Sequence, residues 1–204
     1  MLFVFTDIMV LDADQFVTHI AAFPMCMPVT VAPGCAFGFW HMWGVLQARR
    51  PTGDVWCISG SSLAMAIHLC DLEFETQLLY CSQLRSVMNV FNVFRVVRFW
   101  LENQLPDDCH TRCNGRMTVL LRRVKRAFSI EYVSHWYSKT DLIDCLMAAC
   151  TPMIPSSFRG SWYVDCLRYR PRTGCSTLPY RIVVRPPTEE GARDLYATGL
   201  RDGR

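Results

Sequence analysis

Apolar residues come along the chain in blocks whose period changes from segment to segment, and those changes mark the elements. "MPVTVAPG" is a short apolar run closed by Pro33-Gly34, which predicts a buried strand and a turn. "FGFWHMWGVLQARR" is apolar on most faces and ends in two arginines, which predicts a buried helix with a basic C-terminal end. After the turn "PTGD", the bulky uncharged "VWCIS" predicts a second strand of the kind that lies centrally in a parallel sheet, and "SSLAMAIHLC" predicts a second helix. Strand, turn, helix repeated in this order predicts an α/β fold with a mostly parallel sheet between helical layers.

Further on, "LRSVMNVFNVFRVVRFWLE" predicts one long amphipathic helix from Leu84 to Glu102. It is read as packed on the sheet, although a basic helix rich in Phe and Trp also suits a membrane surface. "GRMTVLLRRV" and "FSIEYVSHWY" predict paired strands. "SKTDLIDCLMAAC" carries a helix-start signal, with Ser138 as cap, Asp141 three residues on, and an apolar stripe of Leu142, Ile143, Leu146 and Met147. "SWYVD" predicts a strand ending in an acid, and "PYRIVVRP" a last strand. The segments divide into an N-terminal flank (1–28), one domain (29–186) and a polar tail (187–204) expected to fray.

Composition narrows the class. With 204 residues, 51% apolar and 19% charged, the chain can bury a core and is not disordered. A net charge of +3 is too small to suggest nucleic acid. The 11 cysteines stand singly in apolar runs, which predicts free thiols in a reducing, intracellular compartment. "CHTRC" (Cys109, His110, Cys113) has no second paired-cysteine motif to complete a zinc site, so neither metal nor cofactor is expected. No signal peptide is read at the N-terminus. His19 to Ala48 lacks Asp, Glu, Lys and Arg, but its prolines and glycines fit strand, loop and helix better than a membrane span.

Candidate chemistry sits in three places. "ISGSSLA" joins a strand to a helix through small residues, as a turn presenting a nucleophilic serine must. Gly60, Ser61 and Ala64 around Ser62 make Ser62 the first choice. Centred on Ser59, the pattern is Cys57-Ile58-Ser59-Gly60-Ser61, with neither outer glycine, so Ser59 is the alternative. The loop Gly34-Cys35-Ala36-Phe37-Gly38 follows a strand and could aim N–H groups at an oxyanion. Asp165 ends a predicted strand, where α/β sheets place their sites. Each motif also reads as plain structure: an N-cap, a turn, a salt-bridged acid.

Taken together, "LPDDCH", "GRMTVLLRRV", "VSHWYSKTDLIDCLMAACTPMIP" and "FRGSWYVD" resemble the patatin-like phospholipase family, in its adiponutrin and adipose triglyceride lipase branch. The resemblance runs from about Val29 to Asp165 and implies a three-layer α/β/α fold. It also implies a lipid acyl hydrolase, of triacylglycerol lipase or phospholipase A type, with a Ser-Asp dyad and no catalytic histidine. On that pattern Ser62 matches the nucleophile, Asp165 the base and Gly34 to Gly38 the oxyanion loop. A lipid ester would be the substrate, met peripherally at a lipid droplet or membrane from the cytoplasm, with a protein co-activator of unstated kind. His41, His110 and His135 read as structural. The chain departs from the family at Ala36 and Phe39 in the loop, Ala64 in the elbow, and Cys166 after the acid. A side chain at Ala36 or Cys166 would crowd backbone that glycine leaves free. The alternative is a catalytically weakened relative that binds lipid or a protein partner.

Overall fold

A computed structural model of the chain describes residues 30–32, 38–89, 92–124, 129–151, 155–166 and 187–204. In chain order the elements are β1 (Thr30–Ala32), α1 (Phe39–Arg49), β2 (Val55–Cys57), α2 (Gly60–Leu69), α3 (Phe74–Arg85), α4 (Val93–Gln104) and α5 (Cys109–Cys113). Then come β3 (Met117–Arg123), β4 (Ile130–Val133), α6 (Lys139–Cys150), β5 (Ser156–Phe158), β6 (Ser161–Val164) and α7 (Glu189–Asp202). The first expected strand and helix are β1 and α1; "PYRIVVRP" lies outside the described residues.

The α/β class holds. β1, β2 and β3 pair parallel, as the alternation of strands and helices requires. β4 and β6 pair antiparallel with β3, and β5 antiparallel with β6, so the sheet is mixed. Side-chain alternation along β3 sends Met117, Val119 and Leu121 into the main core. All seven described helices add buried residues to that core. Leu120 points the other way, into a small cluster with Ile58 and Cys166. The described residues thus build a mixed sheet with helices packed against it.

Several sequence signals form as read. Ser138 Oγ accepts the Asp141 N–H at 3.1 Å and starts α6. "FRGS" makes the two-residue turn between β5 and β6, with positive φ at Arg159 (45°) and Gly160 (72°). Arg159 then bonds both carboxylate oxygens of Asp141 and the His135 carbonyl, which ties the hairpin to the start of α6.

Two expectations are corrected. The long helix from Leu84 to Glu102 is two helices, α3 and α4. Between them Asn89 Oδ1 accepts the Asn92 N–H, Asn92 Oδ1 accepts the Asn89 N–H, and Asn92 Nδ2 donates to the Val87 carbonyl. These side chains take over backbone bonds that a continuous helix would have used. The tail does not fray either. Thr188 Oγ1 accepts the Gly191 N–H, Glu189 and Glu190 sit in the first turn of α7 and Arg201 in its last, matching the helix dipole. α7 lies against α1 so closely that a Cβ on Gly199 would clash with the His41 carbonyl oxygen. Tyr196 stacks on Phe74 with ring centres 3.9 Å apart, and His41 Nε2 meets Asp202 Oδ2 at 2.8 Å.

Candidate active site

The site is made by a seam in the sheet. Val119 pairs with Cys57 of β2 and Val133 of β4, and Arg122 pairs with Ile130 of β4 and Val164 of β6. A strand has two edges, so β4 holds one edge of β3 while β2 and β6 share the other. β2 runs parallel to β3 and β6 antiparallel to it. Their C-terminal ends therefore run toward each other and stop opposite Leu120 and Leu121. Ser59 lies just past the end of β2, and Asp165 just past the end of β6.

The serine that faces Asp165 is Ser59. Its Oγ donates to Asp165 Oδ2 at 2.5 Å, and the two residues are 2% and 5% exposed. Ser59 has φ 56° and ψ −134°, backbone that a residue with a Cβ adopts only under constraint. The constraint comes from the next turn. Ser61 Oγ accepts the Ile58 N–H at 2.9 Å and donates to the Ile58 carbonyl at 2.8 Å. Ser62 donates to the Ser59 carbonyl twice, from its N–H at 2.9 Å and from Oγ at 2.6 Å. This corrects the placing of Ser62 at the tip. Its hydroxyl is fully buried and bonds Ser59's own backbone, one helical turn behind Asp165's partner. Gly60 opens α2, so the helix N-terminus stands beside Ser59, and Ala64 is buried in that helix.

Asp165 is fixed from the far side. Its N–H donates to the Thr151 carbonyl at 3.0 Å, and Thr151 is held by Met147 at the end of α6. Among the described residues, Asp165 Oδ1 is buried with no side-chain hydrogen-bond partner. Burial pushes the carboxyl up to about 7, against the Ser59 hydrogen bond, the Arg122 charge and the Cys166 backbone N–H, which pull it down. A carboxylate with that affinity for a proton suits a base working near neutrality. Cys166, expected to crowd the backbone, turns its side chain into the Ile58–Leu120 cluster, with Sγ 3.7 Å from the Leu120 carbonyl.

The other candidates stand elsewhere. Of the oxyanion loop, Gly34, Cys35, Ala36 and Phe37 lie outside the described residues; Gly38 is the residue before α1. "CHTRC" forms the short helix α5, with Cys109 and Cys113 buried in the main core. His41 pairs with Asp202, and His135 packs on Tyr137. No helix among the described residues is long and apolar enough to cross a membrane.

Comparison with known proteins finds partial matches. The 1-acylglycerol-3-phosphate O-acyltransferase Pnpla3 of Mus musculus is 28% identical over 154 residues, which are 65% of this chain and 37% of that protein. Patatin-like phospholipase domain-containing protein 2 of Rattus norvegicus is 35% identical over 80 residues, 37% of this chain and 16% of that protein. The chain is related to the patatin-like phospholipases. The omega-hydroxyceramide transacylase of Mus musculus also matches, at 28% over 121 residues, 52% of this chain and 20% of that protein. The match thus spans little more than a third of the first of these patatin-like relatives and less of the others. No family model matches the chain.

The seam also explains why the sequence pattern ranks Ser62 ahead of Ser59. A search for glycines centres the elbow on Ser62. The strand boundary is the better guide: β2 ends at Cys57 and α2 begins at Gly60, leaving only Ile58 and Ser59 for the turn. Cys57 and Ser61 are small enough for the positions where the motif has glycine, and the Ser61 hydroxyl adds hydrogen bonds that glycine cannot make.

Proposed function

We propose that the chain is a lipid acyl hydrolase in which Ser59 is the nucleophile and Asp165 the base. The observation that carries this reading is the 2.5 Å bond from a strained elbow serine to a buried carboxylate. Asp165 takes the Ser59 hydroxyl proton as Oγ attacks the ester carbonyl carbon. The tetrahedral oxyanion is stabilised by the Gly60 N–H at the start of α2, with the loop from Gly34 to Gly38 as second donor. Asp165 then returns the proton to the departing alcohol. It next deprotonates a water, whose attack on the acyl-serine releases the fatty acid and restores Ser59. The substrate would be a glycerolipid or phospholipid ester presented at a membrane or droplet surface.

Acyl transfer is a second reading, favoured by the burial of both dyad groups. With little water at Ser59, a bound alcohol can take the acyl group in its place, the chemistry named in two of the relatives.

The test is labelling with a fluorescent fluorophosphonate, on wild type, Ser59→Ala, Ser62→Ala and Asp165→Asn, each checked for folding by circular dichroism. Ser59→Ala should abolish labelling and Asp165→Asn should slow it strongly, while Ser62→Ala keeps a measurable signal. Labelling that survives Ser59→Ala and is lost with Ser62→Ala would restore Ser62 as the nucleophile. A folded wild type that never labels would favour the non-catalytic lipid-binding alternative. Product analysis with and without an added glycerol-based alcohol separates hydrolysis from transfer.

A further inference from the structure

The end of α6 reaches both halves of the Ser59–Asp165 pair. Cys150, its last residue, has Sγ 3.9 Å from the Oγ of Ser62, and Ser62 in turn holds the Ser59 carbonyl. Thr151, the next residue, takes the Asp165 N–H on its carbonyl at 3.0 Å. We propose that Thr151 is a positioning residue of the pair, whose buried hydroxyl fixes the carbonyl that holds the Asp165 main chain and so keeps the carboxylate within reach of Ser59. The proposal rests on the reading of Ser59 and Asp165 as nucleophile and base.

The arrangement begins with a local signal. Thr151 precedes Pro152, and a residue before proline is driven out of the helical region. Thr151 takes φ −94° and ψ 102°, so α6 ends there and the Thr151 carbonyl leaves the helical ladder. Its hydroxyl then makes two bonds. Oγ1 donates to the Met147 carbonyl at 2.6 Å, one of the acceptors that a helix end leaves open. Oγ1 also accepts from Ser156 Oγ at 3.0 Å. Thr151 is buried, so these bonds are shielded from water.

Ser156 lies on β5 opposite Tyr163 of β6, and Asp165 follows Tyr163 by two residues. The β5–β6 hairpin is therefore joined to Thr151 twice, at β5 through the hydroxyl and just past β6 through the carbonyl. Capping α6 needs only the bond to Met147. The other two bonds converge on one residue and lead to the main chain of Asp165. That placing matters because, among the described residues, Ser59 is the one side chain hydrogen-bonded to the Asp165 carboxyl. The aim of the carboxylate thus depends on where its main chain is pinned.

The test uses the whole chain as wild type, Thr151→Val, Thr151→Ser and Ser156→Ala. Valine keeps the branched shape and loses both hydroxyl bonds, whereas serine keeps the hydroxyl. On a soluble p-nitrophenyl ester, Thr151→Val should lower kcat about ten- to a hundred-fold, as a misplaced catalytic group does, with KM within about two-fold of wild type. Ser156→Ala should lower kcat less, and Thr151→Ser should restore it. A second readout needs no turnover. The Asp165 carboxyl carbon is titrated by NMR with 13C-labelled aspartate, its resonance assigned by loss in Asp165→Asn. The bond from Ser59 pulls the carboxyl down, while the Arg122 charge and the Cys166 N–H act on it with or without Ser59. Thr151→Val should therefore raise the midpoint where Ser59 is present and leave it in place where Ser59→Ala has already removed the bond. If Thr151→Val does not fold, Ser156→Ala takes its place in both measurements. An unchanged kcat, a loss that Thr151→Ser does not recover, or a midpoint shift equal in both backgrounds overturns the proposal. A wild type that hydrolyses no ester removes the reading of the pair as nucleophile and base. The titration then decides alone: a shift confined to the background with Ser59 upholds the hold of Thr151 on the pair, and any other result overturns it.

Discussion

Asp165→Asn should make the protein more stable above neutral pH while silencing it. The Asp165 carboxyl moves from an ordinary 3.8 to about 7 because the folded chain buries it. At about 1.4 kcal/mol per pH unit, holding it ionised costs the folded state about 4 kcal/mol. The sign follows from the folded value lying above the unfolded one. Asp165 costs nothing below about pH 4, where it is protonated in both states. Between pH 4 and 7 the unfolded chain releases the proton and the folded chain keeps it, so stability falls as pH rises; above about 7 the loss is complete. An amide never ionises and escapes the whole cost. It adds a constant one, since its NH2 would stand where Oδ1 has no partner, roughly 1–3 kcal/mol for an unpaired buried donor. The pH dependence of the difference is therefore cleaner than its value at any one pH. Urea unfolding of wild type and variant at pH 4, 5, 6, 7 and 8 measures it. The variant's stability relative to wild type should climb by about 4 kcal/mol across that range and level off above pH 7. A difference that stays flat would refute the reasoning, because Asp165 would then be as well solvated or paired when folded as when unfolded.

Two further outcomes follow from the packing. Ser61→Ala leaves the Ile58 N–H without its acceptor in a fully buried turn, so it should cost about 1–3 kcal/mol in urea unfolding and slow fluorophosphonate labelling. Gly199→Ala forces a methyl group against the His41 carbonyl, so α1 and α7 must separate; a loss of about 1–3 kcal/mol is expected in thermal unfolding, and an unchanged melting temperature would mean that α7 does not dock as described.

How far the sequence was legible depends on whether a feature is local. Ser138 and Asp141 stand three residues apart and make their cap from that spacing alone. The turn at Arg159-Gly160 and the pairing of β3 with β4 have local signatures too. The break between α3 and α4 was also local, but the apolar stripe of Leu84–Glu102 outweighed two asparagines whose reciprocal bonds end a helix. The sequence of α7 reads as a fraying tail because it is polar over most of its surface. Its docking face is made of Ala192, Leu195, Tyr196 and Gly199, a single aromatic among small or few apolar residues, and its partner α1 lies about 150 residues away in sequence. The Ser59–Asp165 pair is the extreme case. Ser59 and Asp165 are 106 positions apart, and their meeting depends on two strands, one parallel and one antiparallel, ending at the same point of β3. No motif encodes that register. What a motif encodes is the freedom of the elbow to turn, usually through glycine. Here the turn is held by the hydroxyls of Ser61 and Ser62 and tolerated by Ser59 itself, so the chain reaches the geometry by hydrogen bonding where glycine would have reached it by lacking a side chain.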